Sequence, residues 1–206
     1  MKKILIVIPA MLALFLLFSC DNKKTGSKYT LPDQVQNIVT DAQLDQLKQD
    51  GLTINEGVTP PNVEGVYLAD RQYCVYDSDG DTDWYTFYYY YQFYDQTAQN
   101  TVMLSYTGGD IDPYNADVAS GEGAFISGSG SNFSVFVEAQ GTYSGITYTQ
   151  VTIYSGTMTG SGISNFQFGF ILTEKSDDPD NYMMEVNGHR IFTEDDGIAS
   201  TDTWPQ

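Results

Sequence analysis

From residue 63 to the C-terminus, apolar residues recur in short alternating runs separated by clusters of Gly, Asn, Asp and Ser. A period of two marks a strand with one buried face. The runs predict strands over 65–76, 84–94, 101–106, 117–126, 133–138, 146–158, 165–173, 182–186 and 189–192. No helical period interrupts them. Short strands joined by turns, without crossover helices, predict a mainly β fold. The expected form is an antiparallel up-and-down barrel of eight or nine strands, with a β-sandwich as the alternative. Glycines inside 117–126 and 146–173 predict bends or bulges, and Asn187-Gly188 predicts a two-residue hairpin.

The strongest strand signal is 84–94, WYTFYYYYQFY, with nine aromatics in eleven residues and no Gly or Pro. Aromatic side chains suit a pleated, half-buried surface. Strict alternation puts Trp84, Thr86, Tyr88, Tyr90, Gln92 and Tyr94 on one face. Tyr85, Phe87, Tyr89, Tyr91 and Phe93 form the other, which is aromatic throughout and predicted to face the core. Each ring buries about 150–250 Å², roughly 4–6 kcal/mol gross before the entropy of ordering is subtracted. The first face is mixed, as suits a wet wall or a ligand surface.

A helix is predicted over 41–50, ahead of the strands. Thr40 and Gln43 form a capping box, with Val39 and Leu44 at the staple positions. Leu44 and Leu47 share a face, Gly51 suits the left-handed residue after the helix, and Leu52 can fold back on Leu47. Two inward leucines do not sustain an isolated helix, so it must dock on an end or outer wall of the β domain.

At the N-terminus, Lys2 and Lys3 precede an apolar run over 4–18, short for a bilayer-spanning helix and typical of a secretory leader. It ends Leu17-Phe18-Ser19-Cys20. This junction resembles the lipobox of bacterial lipoproteins. The resemblance implies a lipid on Cys20 and removal of residues 1–19. The expected organisation is a signal peptide over 1–19 and a lipid-anchored tether over 20–39. A capped helix with its Pro-Pro lead-in then covers 40–62, and the barrel covers 63–206. Several acyl chains at about 0.8 kcal/mol per buried CH₂ make a permanent anchor. The bacterial envelope, at the outer membrane, is the expected location.

The chain of 206 residues carries a formal charge of −18, and loss of Lys2 and Lys3 makes the balance more negative. That sign argues against nucleic acid and against an anionic membrane surface, and favours cations or basic partners. Cys74 is the only cysteine besides Cys20, so no intrachain disulfide is expected after lipidation, and Cys74 reads as a small buried hydrophobe.

The segment Asn55-Glu56-Gly57-Val58-Thr59-Pro60-Pro61-Asn62, the strand start Gly65-Val66-Tyr67 and the Gly-rich hairpin 155–162 resemble lipocalin-like bacterial lipoproteins. Tyr67 stands where the Gly-x-Trp opening of lipocalin barrels has Trp. The resemblance, spread over 55–206, implies a barrel and transfers no ligand or catalytic residue.

Catalytic signals are sparse. His189 is the only histidine and is expected to be exposed beside a turn. Glu122, Glu138, Glu174 and Glu185 fall in or near strands without a spacing that selects a pair. The sequence has no phosphate loop, dinucleotide fingerprint or zinc pattern. In loop 77–83, Asp77, Asp79, Asp81 and Asp83 stand at every second position. They are candidate calcium ligands, or a solvated hairpin loop. Counting strands puts this loop at the same barrel end as 108–116, 175–181 and Asp195-Asp196, with Asn187-Gly188 at the uncharged end.

The expected function is non-enzymatic binding of a small apolar or amphipathic ligand against aromatic walls. The alternative is a glycan-binding or adhesion module using Trp84, Tyr88 and Tyr90. An envelope hydrolase is a third class.

Overall fold

The structure is a computed structural model that describes residues 27–205 apart from 83, 87, 109–116 and 144. Two short helices, α1 (Val35–Ile38) and α2 (Asp41–Gln49), precede the strands. The strands are β1 (Val58–Thr59), β2 (Gly65–Ala69), β3 (Gln72–Asp77), β4 (Tyr85–Thr86), β5 (Tyr89–Tyr94) and β6 (Thr101–Gly108). β7 (Asp117–Ser129), β8 (Asn132–Tyr143), β9 (Ile146–Thr159), β10 (Gly162–Lys175), β11 (His189–Glu194) and β12 (Ile198–Thr201) follow.

The ring runs β12-β2-β5-β6-β7-β8-β9-β10 and closes where β10 also pairs β12. It is a closed eight-strand antiparallel barrel. β11, β3 and β4 extend one end of it. β2 and β3 together form one stave, bent at Asp70-Arg71. β11 and β12 form the adjacent stave, bent at 195–197, where Gly197 takes φ +80°. The two bends lie side by side: Asp195 N–H donates to the Arg71 carbonyl at 2.9 Å, and their side chains form an ion pair.

The eighth predicted strand, 182–186, is a loop. Asp178 accepts the backbone N–H of Tyr182 at 2.9 Å and of Met183 at 3.0 Å, and Lys175 Nζ lies 3.1 Å from its carboxylate. These side-chain bonds offer the backbone an alternative to a ladder. Asn187-Gly188 therefore ends a long loop instead of making a tight hairpin. It lies at the same end as Ser78, since Ser78 N–H donates to the His189 carbonyl at 3.0 Å. Losing one strand reverses the end assigned to everything after it.

Two apolar cores result. The barrel interior holds Tyr67, Tyr91, Phe93, Leu104, Ile126, Phe133, Val135, Tyr154, Ile163 and Phe166 among others. The second lies outside the wall, where Leu44, Leu47 and Leu52 pack on Phe136, Val151, Ile153, Ile171 and Ile191. α2 has the predicted capping box, and Leu52 N–H donates to the Leu47 carbonyl at 2.9 Å beyond Gly51 at φ +113°. The tether predicted over 20–39 extends too far. Tyr29, Leu31, Val35 and Val39 are buried in this outer core, so the folded unit reaches back at least to Tyr29. Leu31, Val35 and Val39 recur every four residues, a helical spacing that marks one face, of which only Val35 falls within a helix, the short α1.

The lead-in pairs with the end of β7. Gly57 takes φ +129°, and a Cβ there would fall 2.3 Å from the Gly128 carbonyl oxygen. This close approach lets β1 pair in parallel with the end of β7.

The aromatic strand departs from one face assignment. It is two segments, β4 paired with β3 and β5 paired with β2 and β6. Along β5, Tyr91 and Phe93 are buried as predicted. Between Thr86 and Tyr89 the alternation changes phase. Tyr85, predicted to be inside, is 47% exposed, while Trp84 and Thr86, predicted to be outside, line the interior. Phe87 lies outside the described residues.

Candidate functional site: an aromatic cavity at the extended end of the barrel

The barrel interior is packed by Phe93, Phe133, Ile163 and Phe166. Toward the end extended by β11, β3 and β4 it opens into a cavity of about 310 Å³. Alternation along the strands supplies the walls. β9 contributes Tyr148, Gln150, Thr152 and Tyr154; β10 contributes Phe168 and Phe170; β11 contributes Arg190 and Phe192. Tyr89 and Tyr91 of β5, Tyr106 of β6, and Trp84 and Thr86 complete the lining.

The rings brace one another. Phe168 stacks on Phe192 at 4.6 Å between centroids and 4° between planes, and Trp84 meets Phe192 edge-on at 5.2 Å. Trp84 Nε1 donates to the Asp81 carbonyl at 2.8 Å, which fixes the indole. Tyr91 and Tyr154, 5.2 Å apart, link the cavity to the filled core. Tyr148 lies across Gly141 on the neighbouring strand, where a Cβ would meet its ring at 2.4 Å. The result is a large internal aromatic cluster that is compatible with ligand binding.

Polar atoms are interleaved with the rings: Thr86, Gln150, Thr152, Arg190 and the tyrosine phenols all line the cavity. Tyr91 is buried and donates to Gln72 Oε1 at 3.1 Å. Burial, and then the neighbouring Tyr154 and Tyr89, push its phenol well above the usual range, so it is a hydrogen-bond donor, not an acid. Arg190 Nε donates to Asp77 Oδ2 at 2.6 Å, and the guanidinium carbon lies 5.8 Å from the Trp84 ring centre. Gln72 Nε2 and Glu194 Oε2 are buried without a protein partner. Burial raises the Glu194 carboxyl to about 7.

The structure separates the residues predicted for a glycan surface. Trp84 lines the cavity, whereas Tyr88 and Tyr90 lie outside as an edge-to-face pair at 6.0 Å. An outer cleft of about 740 Å³ instead combines Trp84, Tyr85, Thr86 and Tyr88 with Asp70 and Arg71. Trp84 lines both hollows, and the Arg71 guanidinium lies 4.6 Å from the Tyr85 ring centre.

In the acidic loop, Asp77 is buried, with one oxygen on Arg190 and the other accepting the Asp79 N–H at 2.8 Å. Asp79 and Asp81 are exposed, and Asp83 lies outside the described residues. Among the described residues, no three His, Cys, Asp or Glu side chains gather as a metal site. Asp195, predicted at this end, is at the bend with Arg71.

His189 is not exposed beside a turn but 4% exposed, stacked on Tyr76 at 4.8 Å with Nε2 2.7 Å from Asp50. Glu138, Glu174 and Glu185 are exposed and Glu122 is half-buried; none lines the cavity. Cys74 is buried as expected, its thiol pushed up to about 11 by burial. Cys20 lies outside the described residues.

Sequence reasoning missed Arg190 and the β9–β11 aromatics. The signal was present in Phe166-x-Phe168-x-Phe170 and Tyr148-x-Gln150-x-Thr152-x-Tyr154, a period of two that names one inward face. The resemblance to lipocalin-like lipoproteins extends to the barrel architecture and assigns no family. No protein-family model, curated protein or solved structure matches this chain.

Proposed function

We propose that this chain is a lipid-anchored binding protein of the bacterial cell envelope, held at the outer membrane through Cys20. Its barrel carries a small apolar or amphipathic ligand. The observation that supports this reading is the 310 Å³ cavity walled by interlocked aromatic rings. Pockets for small ligands are concave, mostly apolar, and carry a few placed polar groups. The braced rings leave little side-chain freedom to lose on binding, and such preorganisation favours affinity.

Native mass spectrometry of protein purified from its own envelope tests the reading. Wild type should retain a small-molecule adduct, and Thr152→Trp, which fills the cavity, should lose it. Absence of an adduct in wild type, or an adduct unchanged in the variant, contradicts the assignment.

A second reading places a glycan in the outer cleft, because Tyr85 and Tyr88 are exposed there beside Arg71. Glycan-array binding abolished by Tyr85→Ala with Tyr88→Ala, and untouched by Thr152→Trp, would favour it.

A further inference from the structure

Among the residues lining the cavity, one is charged: Arg190. It is the cross-strand partner of Asp77. The Asp77 side chain is 0% exposed and holds Arg190 through Nε, while Arg190 itself remains 29% exposed. A guanidinium carries five N–H donors in a rigid fork. The bond to Asp77 is made by Nε and does not use the four N–H of the two Nη atoms, and Arg190 itself lines the cavity. The guanidinium carbon also lies over the Trp84 ring, 5.8 Å from its centre. The guanidinium is thus positioned before any ligand arrives.

Resting on the cavity reading above, the geometry points to a carboxylate-bearing ligand. Its acid sits on the Nη edge of Arg190, and its flat or short aliphatic body lies among Trp84, Phe168, Phe192 and Tyr154. A wholly apolar ligand that covered Arg190 would strip water from the Nη groups and return nothing. A carboxylate restores those bonds, charge-assisted and in the planar pairing that a guanidinium favours. Aromatic walls also attract cations. Here Arg190 already lies over Trp84, and a second cation would meet like charge in a partly desolvated site. The volume, at the low end of ligand pockets, excludes a two-chain lipid and suits a bicyclic or short-chain acid. The chain's charge of −18 opposes an approaching acid only at long range. At physiological salt that repulsion is screened beyond about 8 Å.

Isothermal titration with 2-naphthoate and 2-naphthamide separates the head group from the ring. Wild type should bind the acid at least tenfold more tightly than the amide. The double variant Asp77→Asn, Arg190→Gln removes both charges and strands neither. It should abolish the preference while holding the amide within threefold of its wild-type affinity. Equal wild-type affinities overturn the carboxylate assignment and leave the cavity reading intact, as does an unchanged preference in the double variant. Failure of both probes to bind wild type overturns both.

Discussion

His189 Nε2 lies 2.7 Å from Asp50 Oδ2, joining residues 139 positions apart. Asp50 caps the end of α2, so the contact fastens the helix to the start of β11. Both side chains are largely buried, and Tyr76 covers the imidazole. Removing either partner strands the other. Asp50→Ala and His189→Ala should each cost about 2–4 kcal/mol. A double-mutant cycle by urea denaturation should give a coupling of about 1–3 kcal/mol. Additive losses would show that the pair does not fasten the helix.

Glu194 makes stability depend on pH. Burial, first, and the charges of Asp196 and Asp70 raise its carboxyl from 4.5 to about 7 in the folded chain, opposed by backbone N–H donation from Arg71 and Asp70. Between these values the folded state holds a proton that the unfolded state has released. Stability therefore falls as pH rises through that window and levels off above it. Glu194→Gln should exceed wild type by about 1–3 kcal/mol at pH 8 and lose most of that advantage at pH 5. Equal pH profiles for the two proteins would remove Glu194 as the cause.

Phe93 and Tyr90 lie three positions apart on opposite faces of β5. Phe93 is buried against Tyr67, Phe133 and Tyr154, while Tyr90 pairs with Tyr88 on the outer surface. Phe93→Ala should cost about 3–5 kcal/mol. Tyr90→Ala should cost under about 1 kcal/mol. Similar losses would mean that the inward face is wrongly drawn.

Calcium remains a direct test of the acidic loop. With Asp77 committed to Arg190, the described carboxylates still facing solvent there are Asp79 and Asp81, fewer than calcium's usual six to eight oxygens require. Thermal melts in calcium, magnesium and sodium chloride at matched ionic strength should share one midpoint. A calcium-specific rise of a few degrees would show that the loop recruits further ligands.

Anchoring is tested by Cys20→Ser. The variant should leave the membrane fraction or accumulate as unprocessed precursor. Wild-type fractionation and migration would refute lipidation at this residue.

Much of the fold was legible in the chain because its signals are local. A period of two with turn residues between runs marks strands wherever they end up, and the capping box of Thr40 and Gln43 needs only three residues of spacing. Burial of Tyr91 and Phe93 followed from alternation within one unbroken segment. What the chain alone decided was therefore the β class, the capped helix and most of the inward positions. Tertiary structure decided whatever depends on distant partners. The phase change before Tyr89 arises because β4 must follow β3 while β5 follows β2, and neighbouring residues do not encode that choice. Asp178 holds 182–186 as a loop through bonds that a hydrophobic pattern cannot register. His189 became buried because Asp50 reaches it from the helix. The cavity required residues from six strands, each contributing only its alternate positions. Single strands carry the period, but closure of the ring sets which faces meet and where Arg190 comes to rest on Asp77.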